Sequence, residues 1–153
     1  YLDAPNLGGE AAQMARRLAA LVMDHHKQNE NPAQPFGFVA GGETTVTLDM
    51  SNPGKGGRSQ ELALAFALAM RDADLAAPKR WAILAGGTDG RDGPTDAAGG
   101  VITSEQGFDQ AAASVALAGH ASYDYLRSHD QLLMIGATGT NLADLVLVIA
   151  QSS

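Results

Sequence analysis

Residues 86 to 100, GGTDGRDGPTDAAGG, set Asp89, Asp92 and Asp96 among six glycines directly after an apolar run. Clustered carboxylates repel one another, and glycines cost backbone order. A solvated surface loop tolerates both costs, and so does a loop whose backbone must approach a charged ligand. The spacing D-x-x-D-x-x-x-D matches neither an EF-hand loop nor a zinc site. Oxygen ligands alone suit Mg²⁺, which takes one or two carboxylates together with substrate phosphates. Asp89 follows the apolar run most closely and is the first candidate to face a cleft, with Asp92 second. Asp96 is equally suited to bonding local amides.

A second candidate is NPGKGGRSQE, residues 52 to 61, where Lys55 and Arg58 sit in a glycine loop that opens a helix. Free amides and the positive end of a helix dipole favour an anion there. Arg58 adds a planar fork suited to phosphate or carboxylate. The order of a P-loop is absent, and the G-x-G-x-x-G fingerprint fails at its last glycine. A turn with solvated cations is the plain alternative. GATGTN, residues 136 to 141, offers Thr138, Thr140 and Asn141 as neutral hydrogen-bonding groups for a small hydroxy acid, or forms an ordinary turn. The four histidines lie near predicted helix ends without metal-ligand spacing. Neither H-E-x-x-H nor G-x-S-x-G occurs, which removes the zinc-protease and α/β-hydrolase readings.

These loops need elements to carry them. Ala11, Met14, Ala15, Leu18, Leu21 and Val22 recur at helical spacing and predict an amphipathic helix from Gly9 to about Gln28, closed by NENPAQP. FGFVAGG and TTVTLDM predict two strands with a tight corner at Gly41, Gly42 and Glu43. Arg58 to about Asp74 is apolar almost all round and predicts a helix buried against a sheet. WAILAGG does not alternate and predicts a central strand. GGVITS, LLMIGATGTN and DLVLVIAQ read as further strands, and EQGFDQAAASVALAG and ASYDYLRSHD as helices. Alternating strands and helices predict a single α/β domain with a layered sheet, mixed or mostly parallel, flanked by helices. Ligands then belong at the carboxyl ends of strands, where the three glycine loops could converge.

The 153 residues suffice for one core, with 45% hydrophobic and 18% charged residues. A net charge of −7 argues against a broad nucleic-acid surface. No apolar run approaches the length of a membrane span, about 20 residues. With no cysteine there is neither a disulfide nor thiolate chemistry, and the expected compartment is the cytoplasm. Tyr1 is not an initiator methionine, so the chain is expected to begin inside a longer protein.

GGETTVTL, GKGGRSQELALAFAL, AGGTDGRDGPTDAAGG and GATGTNLADLVLVIA resemble, in that order, the C-terminal domain of the type II glycerate 2-kinases, called MOFRL. Some members of that family carry the label hydroxypyruvate reductase. The likeness runs from about Phe36 to Ala150, with residues 1–35 as a leading helix and linker and 36–153 as the domain proper. It implies transfer of the ATP γ-phosphoryl group to the 2-hydroxyl of D-glycerate, giving 2-phosphoglycerate. The active site would lie in a cleft against an N-terminal nucleotide-binding domain absent from this chain, without which the chain alone is expected to be inactive. The family's catalytic arginine maps onto Arg58, which would stabilise the transferring phosphoryl group or hold the glycerate carboxylate. Asp89, supported by Asp92, would hold Mg²⁺ or take the hydroxyl proton. Glu43, Lys55, Thr88, Asp92, Thr140 and Asn141 would line the substrate pocket. Ser59, Ala137 and Ala143 depart from residues common in the family. The alternatives are an NAD(P)H-dependent hydroxypyruvate reductase, and a non-catalytic ligand-binding or dimerisation module; a homodimer is left open.

Overall fold

A computed structural model describes residues 2–31, 33–48 and 54–152. Helix α1 spans Ala11–Gln28 and buries the predicted apolar stripe, Met14, Ala15, Leu18 and Val22. His25, His26 and Lys27 occupy its last turn, where cations complement the helix dipole. Strand β1, Phe36–Gly42, follows, then α2, Arg58–Asp72, a short 3₁₀ turn, and β2, Arg80–Gly87. The chain continues through β3 (Gly99–Thr103), α3 (Gln110–Ala118), α4 (Ser122–Ser128), the two-residue β4 (Leu132–Leu133) and β5 (Asp144–Gln151).

The strands form one sheet in the order β1-β5-β2-β3-β4. The α/β layering agrees with the sequence reading, and β2 is central as its unbroken apolar pattern predicts. The strand direction does not agree, because every pairing in the sheet is antiparallel. Topology supplies the reason. β1 and β2 do run parallel, joined through α2, but β5 returns between them and opposes both. The β2–β3 connection is a loop too short for a helical crossover, so those two strands are also antiparallel.

TTVTLDM does not form the predicted strand where it is described; residues 49 and 50 lie outside the described residues. Thr45 instead bridges Glu10 in parallel, with Ala11 N donating to Thr45 O at 2.9 Å and Thr45 N to Gly9 O at 2.8 Å. The Glu10 carboxylate accepts from the Thr47 hydroxyl at 2.7 Å, drawing this segment to the start of α1 rather than into the sheet. LLMIGATGTN is a strand only at its first two residues; from Met134 to Asn141 the chain is an exposed loop.

On one sheet face Phe38, Ile83, Ile102, Val146 and Val148 belong to the core that also holds the fully buried Leu62, Leu64 and Phe66 of α2. The interior of α2 is thus apolar on nearly every side because it lies between the sheet, α1 and α3. The opposite face exposes Val39, Leu145, Leu147 and Ile149. The alternation along β5 separates the two sets. Among the described residues no helix is long and apolar enough to cross a membrane.

Candidate active site

Register brings the loops together. Asp144, the first residue of β5, pairs with Gly42 at the end of β1 and with Gly87 at the end of β2. Glu43, Asp144 and the Thr88–Asp89 segment therefore leave three neighbouring strands at one edge. The loop before β5 is stitched to the aspartate loop. Thr88 N and its hydroxyl donate to Ala143 O at 3.1 and 2.8 Å, Leu142 N donates to the Thr88 hydroxyl at 2.8 Å, and the Thr138 hydroxyl donates to Thr88 O. The predicted convergence of glycine loops is present, produced by an antiparallel insertion rather than by parallel strand ends.

Arg58 opens α2 above this edge. Its Nε donates to Asp144 Oδ2 at 2.6 Å and its Nη2 to Asp144 Oδ1 at 3.2 Å, a bidentate pair. Nη1 donates to Glu43 Oε1. The Asp144 side chain is 7% exposed, Arg58 35% and Glu43 62%, so one carboxylate is a buried anchor and the other a solvent-side arm. The hydrogen bond to Asp144 holds the guanidinium above its ordinary proton affinity, and the charges of Asp144 and Glu43 add to this. Sequence reading missed Asp144, which looked like the polar first residue of an apolar strand.

Asp92 is buried and turned toward α2 rather than toward solvent. Ser59 N donates to its Oδ1 at 3.1 Å and Gln60 N to its Oδ2 at 2.7 Å. The N-cap residue of α2 is Gly57, which has no side chain, and Asp92 supplies the missing cap from across the cleft. The predicted anion position at this helix start thus holds the protein's own carboxylate. Burial pushes the Asp92 pKa up to about 6, outweighing the bonds from Gln60 and Ser59. Asp89 is half-buried, with Oδ1 accepting from Arg91 N at 2.9 Å. Asp96 is exposed and accepts from the Tyr123 hydroxyl at 2.6 Å, which lowers its proton affinity.

Arg58, Asp89 and Asp92 line one cleft of about 380 Å³ together with Glu61, Arg91 and His120. His120 Nδ1 lies 2.9 Å from Glu61 Oε2, with Glu61 nearly buried in the first turn of α2. Neither residue of this pair is evident from sequence, since they are far apart in the chain and no motif joins them. Lys55 lies outside the cleft, its Nζ 3.7 Å from the centre of the Tyr123 ring in a neighbouring depression with Asp96 and Arg127. Thr140 and Asn141 are exposed on the adjoining loop, and the Thr88 hydroxyl is engaged by Leu142 and Ala143. Among the described residues no group of three or more carboxylates and histidines is arranged as a complete metal cage. A further hollow of about 300 Å³ beside Trp81 and Ile149 is bordered by the exposed Arg80–Glu105 ion pair at 3.2 Å.

The "MOFRL family" model matches residues 36–144. The chain is 35% identical over 159 aligned residues to "Glycerate 2-kinase" of Pyrococcus horikoshii, covering 99% of this chain and 34% of that one. It is 34% identical over 150 residues to "Putative hydroxypyruvate reductase" of Agrobacterium vitis, covering 94% and 32%. The crystal structure of a glycerate kinase from Thermotoga maritima superposes with a TM-score of 0.76 at 33% identity, over 95% of this chain and 34% of that one. The chain therefore spans about a third of the length of the curated relatives it matches. The motifs, the sheet that gathers them and these likenesses agree: the chain belongs to the MOFRL family.

Proposed function

We propose that the full-length protein containing this chain is a glycerate 2-kinase, transferring the γ-phosphoryl group of ATP to the 2-hydroxyl of D-glycerate. The observation that carries this reading is Arg58, a guanidinium held at a cleft edge with N–H donors remaining for an anion. The 2-hydroxyl oxygen forms the new bond to phosphorus, the bond from phosphorus to the ADP oxygen breaks, and the hydroxyl proton leaves to a base. Such transfers depend on positioning and on charge stabilisation, which a fixed arginine supplies.

Asp89 is the carboxylate of the aspartate loop placed to serve the cleft. Asp92 acts from behind, holding the start of α2 and thus the backbone of Arg58. Of the cleft's carboxylates, Asp92 is engaged by the α2 amides and Glu61 by His120, which leaves the half-buried Asp89 as the one that would serve as a protein ligand to Mg²⁺ arriving with nucleotide phosphates. When bound, the ion would neutralise charge on the phosphates. Thr140 and Asn141 are assigned to glycerate, and Glu43 to the guanidinium face that glycerate approaches. Lys55 and Thr88 shape the two flanking loops.

The relatives are about three times as long as this chain, which supports a site completed by a second domain of the same polypeptide. A coupled assay of the full-length protein with D-glycerate, ATP and Mg²⁺ tests the reading: ADP and 2-phosphoglycerate are the expected products. Arg58→Ala should lower turnover by about 10² to 10³, and near-normal turnover would sink the assignment. The name of the Agrobacterium vitis relative supports a second reading, reduction of hydroxypyruvate. NADH oxidation with hydroxypyruvate, and no ADP from glycerate, would decide for it.

A further inference from the structure

We propose that Asp144 is the positioning residue of this site, fixing the rotation of the Arg58 guanidinium so that its free N–H donors face the cleft. A bidentate contact through Nε and Nη2 sets both the plane and the roll of the group, which a single hydrogen bond cannot do. Asp144 is itself immobilised. Its backbone pairs with strands on both sides, and its carboxylate is nearly buried. The backbone of α2 next to Arg58 is secured independently by Asp92. Glu43, largely exposed, is the contact that an incoming anion can displace. The guanidinium is thus fixed along one edge and held elsewhere only by the exposed Glu43, which is the arrangement a preorganised donor requires.

The kinetic part of the test rests on the kinase reading; the spectroscopic part does not. In the full-length protein, Asp144→Asn should lower kcat by about 10- to 100-fold, as loss of an orienting partner does, while KM for ATP changes by less than about threefold. Arg58→Ala should regain activity with millimolar guanidinium, which the Asp144 carboxylate would hold. The double variant Arg58→Ala, Asp144→Asn should not regain it. A purely structural Asp144 would leave that rescue intact. Arg58→Lys keeps the charge but not the fork. It should lose nearly as much as Arg58→Ala, and it decides the matter should the Asp144 variants fail to fold. By NMR, the Arg58 Nε–H should give a downfield, slowly exchanging signal that Asp144→Asn abolishes. Asp144→Asn turnover within about twofold of wild type, equal rescue in the double variant, or near-wild-type Arg58→Lys each overturns the proposal. An inactive wild type sinks the kinase reading instead and leaves the Nε–H signal to decide.

Discussion

A carboxylate that caps a helix from inside the protein faces opposing demands, and Asp92 shows which prevails. Two backbone N–H groups favour its ionised form, yet burial raises its pKa to about 6, above the ordinary 3.8. The folded state therefore binds this proton more tightly than the unfolded chain. The associated stabilisation is complete below about pH 4 and is lost as pH rises through 6, a contribution of about 3 kcal/mol. Asp92→Asn, which keeps one acceptor for the α2 amides, should abolish that slope in denaturation midpoints measured from pH 4 to 7. A slope that survived the substitution would show that another group titrates. Arg58 and Asp89 were legible in the sequence as candidates because each stands in a glycine loop beside a predicted element. Asp144 was not, because its partner is 86 positions away and nothing local encodes the pair.

Elements bounded by periodicity were legible. The α1 stripe lies where the pattern puts it, since burial on one face imposes that spacing directly, whereas β2 is a strand where its run predicts but buries Trp81, Ile83 and Ala85 and leaves Ala82 and Leu84 half-buried. Strand direction was not legible, because the position of β5 between β1 and β2 is a choice between non-local pairings. The loops also hold one another. Gly90 has φ 87°, and a methyl group there would overlap Gly136 O, whereas Gly136, at φ 69°, has open space around it. Gly136→Ala should cost only the left-handed backbone penalty, about 1 kcal/mol, and Gly90→Ala about 2 kcal/mol or more. Thermal unfolding of the two variants checks the difference, and equal losses would mean that the loop contact contributes nothing.

Taken whole, the domain is a sheet covered by helices on one side only. Val39, Leu145, Leu147 and Ile149 form an exposed apolar strip on the other side. In its native state the 153-residue chain should bind a hydrophobic dye such as ANS. Leu147→Lys with Ile149→Lys should reduce that signal while changing stability by no more than about 0.5 kcal/mol per site. Undiminished binding would locate the dye elsewhere.

The same alternation along β5 constrains how this family's sequences can vary in length. Asp144 shares its face with Val146, Val148 and Ala150, while Leu145, Leu147 and Ile149 share the other. Losing a single residue within β5 would put Asp144 and the residues beyond the deletion out of parity, so that either the arginine pair or the core contacts of the following residues would be lost. The exposed loop from Met134 to Asn141 has no such parity to keep. Insertions and deletions should therefore collect in that loop and stop abruptly at residue 144.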